Sequence, residues 1–186
     1  QCFDFISTPL KGLYRVDRKQ IEDERGFFSR AFCAEEFEKI GSMPPIVQIN
    51  HTMTRQKGAI RGMHFQYPPH TETKMVTCIR GEVFDVAVDV RKDSQTFLQW
   101  HAEILSEENL RSLYIPDGFA HGFQTLTEDC QLLYLHSEFY ASKAEGVLNA
   151  MDPKMAIKWP YQLTEISEKD KNQPMLDGTF KGLSIT

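Results

Sequence analysis

The chain has 186 residues, and a 41% hydrophobic fraction suits a single compact domain, 1–186, able to bury roughly 70% of the surface its unfolded form exposes. A formal net charge of -5 argues against general nucleic-acid binding, leaving room only for a local basic pocket around one phosphorylated ligand. No apolar run approaches the ~20 residues of a transmembrane helix, so no membrane partner is expected.

Targeting and redox signals are sparse. No signal-peptide h-region opens the chain, and its start at Gln1 rather than Met reads as a clipped terminus. Cys2, Cys33, Cys78 and Cys130 form no C-x-x-C pair. They read as reduced thiols of a cytoplasmic protein, packed in the core rather than forming a disulfide scaffold.

In chain order, Ala34–Ile40 predicts a short helix with Phe37 and Ile40 inward, stopped at Gly41. Strands are then predicted at Ile46–His51, Ala59–Phe65 and Lys74–Arg80. The strongest alternation follows in VFDVAVDV, Val83 to Val90. Phe84, Val86, Val88 and Val90 share one face and Val83, Asp85, Ala87 and Asp89 the other, which predicts a half-buried strand. Further strands are expected at Trp100–Leu105, Ser112–Ile115, Phe123–Thr127 and Leu132–Tyr140, and a polar helical turn at Ser167–Lys171. Turn residues punctuate many of the gaps. So many short strands predict an all-β fold, a sandwich or barrel with a few short peripheral helices. The mouth of such a barrel is a natural ligand pocket.

Three clusters carry polar chemistry. In RGMHFQ, alternation turns Met63 and Phe65 one way and Gly62, His64 and Gln66 the other. A lone His on a strand is most often a core residue, but Arg61, Gln66 and Lys74 nearby favour a pocket wall. In IPDGFAHGF, the P-x-G-x-x-H spacing ending at His121 resembles the second motif of cupins, whose His often binds a metal. The matching H-x-H is absent, because His64-Phe65-Gln66 stands in its place. His70 and Glu72 do not restore the spacing, so no metal site is expected. In LLYLHSEFY, Tyr134 and Tyr140 would share a face of one regular strand, either as aromatic core or as a phenol in the cavity.

Taken together, RGMHFQ, KMVTCIRGEVFDVAVDVR, SQTF, IPDGFAHGF, LLY and the MDP…WP stretch resemble the dTDP-4-dehydrorhamnose 3,5-epimerase family. The likeness runs in order from Asp23 to Asp170, about four-fifths of the chain. It implies a cupin-like jelly-roll barrel without cofactor or metal. It also implies a nucleotide-diphosphate sugar substrate and a homodimer that exchanges N-terminal strands. By this resemblance His64, paired with Asp170, is the base that removes a proton beside a ketone. Lys74 supports the enolate oxygen, and Tyr134 returns a proton from the opposite ring face.

The resemblance assigns further residues to the substrate. Arg25, Arg61 and Lys169 would meet the diphosphate, and Gln48, Asn50 and His121 the sugar. Tyr140 and Glu145 would line the nucleotide or sugar site. Three departures stand out. Arg30 occupies a substrate-contact position where the family usually has Glu, Gln48-Ile49-Asn50-His51 replaces Q-D-N-H, and Leu135 replaces the Lys after the Tyr. The Arg30 change predicts altered contacts, with GDP or CDP in place of dTDP, or a sugar other than rhamnose, as alternatives. No G-x-G-x-x-G is present, and inversion through an enolate moves no hydride. Three other readings compete: a metal-dependent cupin enzyme, a nucleotide-sugar ketoisomerase and a non-catalytic sugar-binding cupin.

Overall fold

The computed structural model describes residues 1–41 and 43–185. Its strands are β1 (Phe3–Ser7), β2 (Tyr14–Arg18), β3 (Gln20–Asp23), β4 (Gly26–Ser29) and β5 (Gln48–Thr54). They continue with β6 (Ile60–Gln66), β7 (Lys74–Arg80), β8 (Glu82–Asp89) and β9 (Trp100–Ser106). The last four are β10 (Arg111–Ile115), β11 (Phe119–Thr125), β12 (Cys130–His136) and β13 (Glu145–Val147). Among the described residues, helix is limited to α1 (Ala34–Phe37), two short 3-10 turns and α2 (Glu168–Lys171).

The strands form a six-stranded sheet, β1-β2-β10-β7-β12-β5, and a five-stranded sheet, β13-β6-β11-β8-β9. Their ladders are antiparallel, and the two sheets enclose a jelly-roll barrel. Strand alternation sorts the apolar residues into three layers. Val76, Cys78, Val83, Ala87, Leu113, Phe123, Leu132 and Tyr134 fill the space between the sheets. Phe3, Val16, Met75, Tyr114 and Leu135 face the other way and are covered by Phe37 of α1. Met63, Phe65, Val86, Val88 and Val90 back the small sheet and pack against Leu148, Ala150, Met155 and Leu183.

This third layer corrects the half-buried reading of β8. Both of its faces are buried, because the chain after β13 folds back over the outer surface of the sheet. The segment covers Phe84 through Trp159, with ring centroids 6.0 Å apart. Other boundaries also move. β11 begins at Phe119, so His121 lies within a strand rather than in a loop before it. β12 ends at His136, which leaves Tyr140 exposed in the following loop. Tyr134 and Tyr140 therefore share no strand face. β1, β2, β3, β4 and β13 escaped prediction. The helix over Ala34–Ile40 is one α turn followed by a 3-10 turn, with Phe37 fully buried.

β3 and β4 form a separate two-stranded ribbon. It pairs Ile21 with Phe28 and Glu22 with Phe27, and all three apolar side chains are more than half exposed.

Candidate active site

The alternation that builds the barrel also aims its polar side chains. On β6, Met63 and Phe65 back the sheet, so His64 points between the sheets. On β7 the inward row is Lys74, Val76 and Cys78, and on β12 it is Leu132, Tyr134 and His136. These groups meet in a cavity of about 200 Å³ lined by Asn50, Thr52, Arg61, His64, Lys74, His121, Phe123, Tyr134 and His136. His64 stands on the five-stranded sheet and Tyr134 on the six-stranded one, so imidazole and phenol approach the cavity from opposite walls.

His64 is held from behind. Its Nε2–H donates to Asp170 Oδ1 at 2.7 Å, which leaves Nδ1 with the free lone pair. Asp170 is buried and locked in turn, since Oδ2 accepts the Gly62 backbone N–H at 3.0 Å. Ser167 caps α2 by accepting the Asp170 N–H at 3.2 Å. Burial pushes the Asp170 carboxyl up. Hydrogen bonds from His64 and Gly62, with the electrostatic pull of the His64 ring and of the Lys169 ammonium, outweigh it and hold the carboxyl below its ordinary value.

Tyr134 is buried, and its oxygen accepts from Thr52 Oγ1 at 3.4 Å. Its own O–H proton has no acceptor among the described residues. Burial raises the phenol well above its ordinary value, so it stays protonated at neutral pH. The rings of His121 and His136 lie 5.9 Å and 6.1 Å from it. Lys74 lies 3.6 Å from Glu72, which also accepts from His136 Nδ1–H at 2.9 Å.

His121 is buried and donates from Nε2 to Asp85 Oδ1 at 2.7 Å. Burial lowers its proton affinity and prevails over the opposing pull of Asp85. It is a neutral donor fixed in the wall. Among the described residues, no group of three or more His, Cys, Asp or Glu side chains converges as metal ligands would. His64, His121 and His136 each face a carboxylate instead.

A wider cleft of about 600 Å³ opens from the same point. It is lined by Met53, Arg55, Gln56, Arg61, His64, Ile166, Lys169 and Asp170, among others. Arg61 and His64 border both spaces. Lys169 bonds Glu145, and Tyr140 Oη donates to the other oxygen of Glu145 at 2.7 Å. Gln48 accepts the Tyr140 backbone N–H at 3.2 Å and donates to Asn50 at 3.4 Å.

The expected residues therefore divide into three groups. His64, Asp170, Lys74, Tyr134, Asn50, Arg61 and His121 converge on the joined cavities. Gln48, Tyr140, Glu145 and Lys169 form a linked set at their rim. Arg25 and Arg30 stay apart within one chain. Arg25 is 90% exposed at the tip of the ribbon, paired with Asp23 at 2.6 Å, and Arg30 lies 3.6 Å from Glu36. Gln66 anchors two loops, bonding His70 O and Ala141 N at 2.8 Å each, and also lines a small pocket with His64, Glu72, Lys74 and His121.

Thr52, Glu72, Asp85 and His136 received no role from the sequence. Asp85 was signalled, being a carboxylate in phase with Val83 and Ala87 in the middle of a strand whose other charged residues, Glu82 and Asp89, stand at its ends. His136 was signalled by its two-residue spacing from Tyr134. Thr52 and Glu72 carried no local sign, because only folding brings them to their partners.

The family model for dTDP-4-dehydrorhamnose 3,5-epimerase matches residues 7–178. The curated dTDP-4-dehydrorhamnose 3,5-epimerase of Salmonella typhimurium is 44% identical over 174 residues, 92% of this chain and 94% of its own length. Among solved structures, the Legionella pneumophila epimerase in complex with dTDP-4-keto-L-rhamnose superposes with a TM-score of 0.91 at 36% identity. That match covers 99% of this chain and all of the other. A 3'-monoepimerase from Streptomyces bikiniensis in complex with dTDP-quinovose gives a TM-score of 0.86 at 31% identity, over 91% of this chain and 86% of its own.

Proposed function

The chain belongs to the dTDP-4-dehydrorhamnose 3,5-epimerase family, and from that premise we propose that it inverts the carbons flanking the ketone of dTDP-4-dehydro-6-deoxyglucose without a cofactor. The observation that carries this reading is the placement of a carboxylate-backed imidazole and a protonated phenol on opposite walls of one cavity.

Each inversion needs one proton removed and one returned. His64 Nδ1 takes the proton from the carbon beside the ketone, and the C–H electron pair becomes the enolate double bond. The carbonyl oxygen gathers the negative charge, which the Lys74 ammonium stabilises. Asp170 favours the imidazolium that forms, as it accepts the opposite N–H. Tyr134 then gives its phenolic proton to the same carbon from the other face. The carbonyl re-forms with inverted configuration, and solvent restores both groups. A second imidazole on the His64 wall could only return the proton to the face it left.

The sugar fits the inner cavity, with His121 and Asn50 as hydrogen-bonding groups. The nucleotide diphosphate then lies along the wider cleft beside Arg61 and Lys169, where a guanidinium suits phosphate oxygens. Arg25 and Arg30 serve the site of a second subunit. The ribbon of β3 and β4 supports that arrangement, because an isolated two-stranded hairpin is marginal in water. This one exposes Ile21, Phe27 and Phe28, which a homodimer would cover. With four free thiols, we assign the enzyme to the cytoplasm.

The test is incubation in D₂O with dTDP-, GDP- and CDP-linked 4-keto-6-deoxy sugars, followed by NMR of the product. Deuterium at both C3 and C5 of the dTDP sugar, with inverted configuration, is the expected result. Deuterium at C3 alone would make the protein a monoepimerase. A carbonyl moved to the neighbouring carbon would make it a ketoisomerase. Tight binding with no exchange would leave a sugar-binding protein.

A further inference from the structure

A small pocket beside the cavity, sharing His64, Lys74 and His121 with it, is lined by a third carboxylate that none of the roles above uses. Glu72 lies between the Pro68-Pro69 turn and β7, with 13% of its side chain accessible. One oxygen lies 3.6 Å from Lys74 Nζ and the other accepts from His136 Nδ1–H at 2.9 Å. His136 is held at its far side too, where Asn50 Nδ2–H donates to Nε2 at 3.3 Å. Lys74, His136 and Asn50 all line the cavity. A buried carboxylate is costly unless paired. Its pairing here differs from that of Asp89, which Arg91, Ser94 and Thr96 satisfy locally in one turn. Glu72 instead joins residues from β7 and β12.

We propose that Glu72 is a positioning residue of the epimerase, a shared anchor that aims the Lys74 ammonium at the enolate oxygen and is itself braced by His136. Lysine carries four rotatable bonds, and an ammonium free to roam cannot be preorganised for a developing oxyanion. Glu72 restricts that freedom from behind, as Asp170 restricts His64. His136 holds the second oxygen, so the carboxylate cannot swing toward the cavity and neutralise the charge that Lys74 must offer. Burial raises the Glu72 carboxyl, yet the His136 hydrogen bond and Lys74 charge keep it below its ordinary value. The anchor is thus ionised at neutral pH. The inference rests on the epimerase reading.

The experiment is a double-mutant cycle of Glu72→Gln and Lys74→Met, reading kcat, KM, solvent-deuterium exchange and thermal midpoint. Wild-type exchange comes first. A wild type that exchanges nothing overturns the epimerase reading and this role with it. Given exchange, Lys74→Met should lower kcat by about 10²–10³-fold, the scale of losing one oxyanion donor. Glu72→Gln should lower kcat at least about tenfold with KM little changed, and should cost nothing further once Lys74 is Met. Glu72→Asp keeps the charge and should recover part of the loss. It also carries the same cycle where Gln at this position prevents folding. Losses that multiply in the double variant, or a Glu72→Gln enzyme with wild-type kcat, overturn the role of Glu72 and leave the epimerase reading intact.

Discussion

At the scale of single residues, the site is a set of hydrogen bonds that leave chosen atoms free. Asp170 occupies one nitrogen of His64, and Thr52 donates to the Tyr134 oxygen instead of accepting its proton. This predicts distinct defects. His64→Ala should abolish deuterium incorporation at both carbons, and retained exchange, followed by NMR, would exclude His64 as the base. Tyr134→Phe should leave initial exchange largely intact while cutting completed inversion. Equal losses would reduce the phenol to a wall of the pocket. Asp170→Asn should slow exchange by about a hundredfold or more, since the imidazole loses its charged partner. Asp170 also has a pH signature. Its folded value lies below the ordinary carboxyl value of about 4, so its stabilising contribution is full at neutral pH. That contribution is lost as acid carries the pH through the folded value. Acid unfolding, followed by circular dichroism, should therefore be less steep in Asp170→Asn than in wild type below about pH 4.

At the scale of elements, the position of β6 against β11 decides whether His64 reaches the cavity. Gly62 has φ +134°, and a Cβ there would stand 2.6 Å from Gly122 Cα and 3.0 Å from His121 O. The same residue supplies the N–H that orients Asp170. Gly62→Ala should thus cost about 1–3 kcal/mol of backbone strain and, in a protein of this size, lower the thermal midpoint by about 2–4 °C per kcal/mol. Activity should fall further than stability, because the strand displacement moves both members of the dyad. A variant with the wild-type midpoint and rate, by calorimetry and exchange assay, would show that the two strands can part freely.

At the scale of the whole molecule, the prediction concerns assembly. The projecting ribbon should be covered by a second copy, so Phe28→Asp should convert a dimer to monomers in sedimentation equilibrium. With Arg25 and Arg30 withdrawn from the neighbouring site, KM should rise more than kcat falls. A wild-type monomer with full activity would refute the assignment of both arginines to the partner's site.

Much of this architecture was legible in the chain. Alternation placed His64 opposite Met63 and Phe65, whereas the grouping of His64, Lys74, Tyr134 and Asp170 came only from the resemblance to a family. The first reading succeeds because side-chain direction on a strand is a local property with a period of two. Other features had no local cause. The burial of the outer face of β8 depends on residues about sixty or more positions later that pack over it. The end of β12 depends on where its partners β5 and β7 stop. Glu72 finds Lys74 and His136 only through the pairing of β7 with β12. The sequence by itself determined which faces are apolar and which polar residue types the strands can turn into the cavity. The tertiary structure decided which polar atoms are spoken for and which stay free, because hydrogen-bond partners far apart in the chain are chosen by sheet register rather than by neighbours.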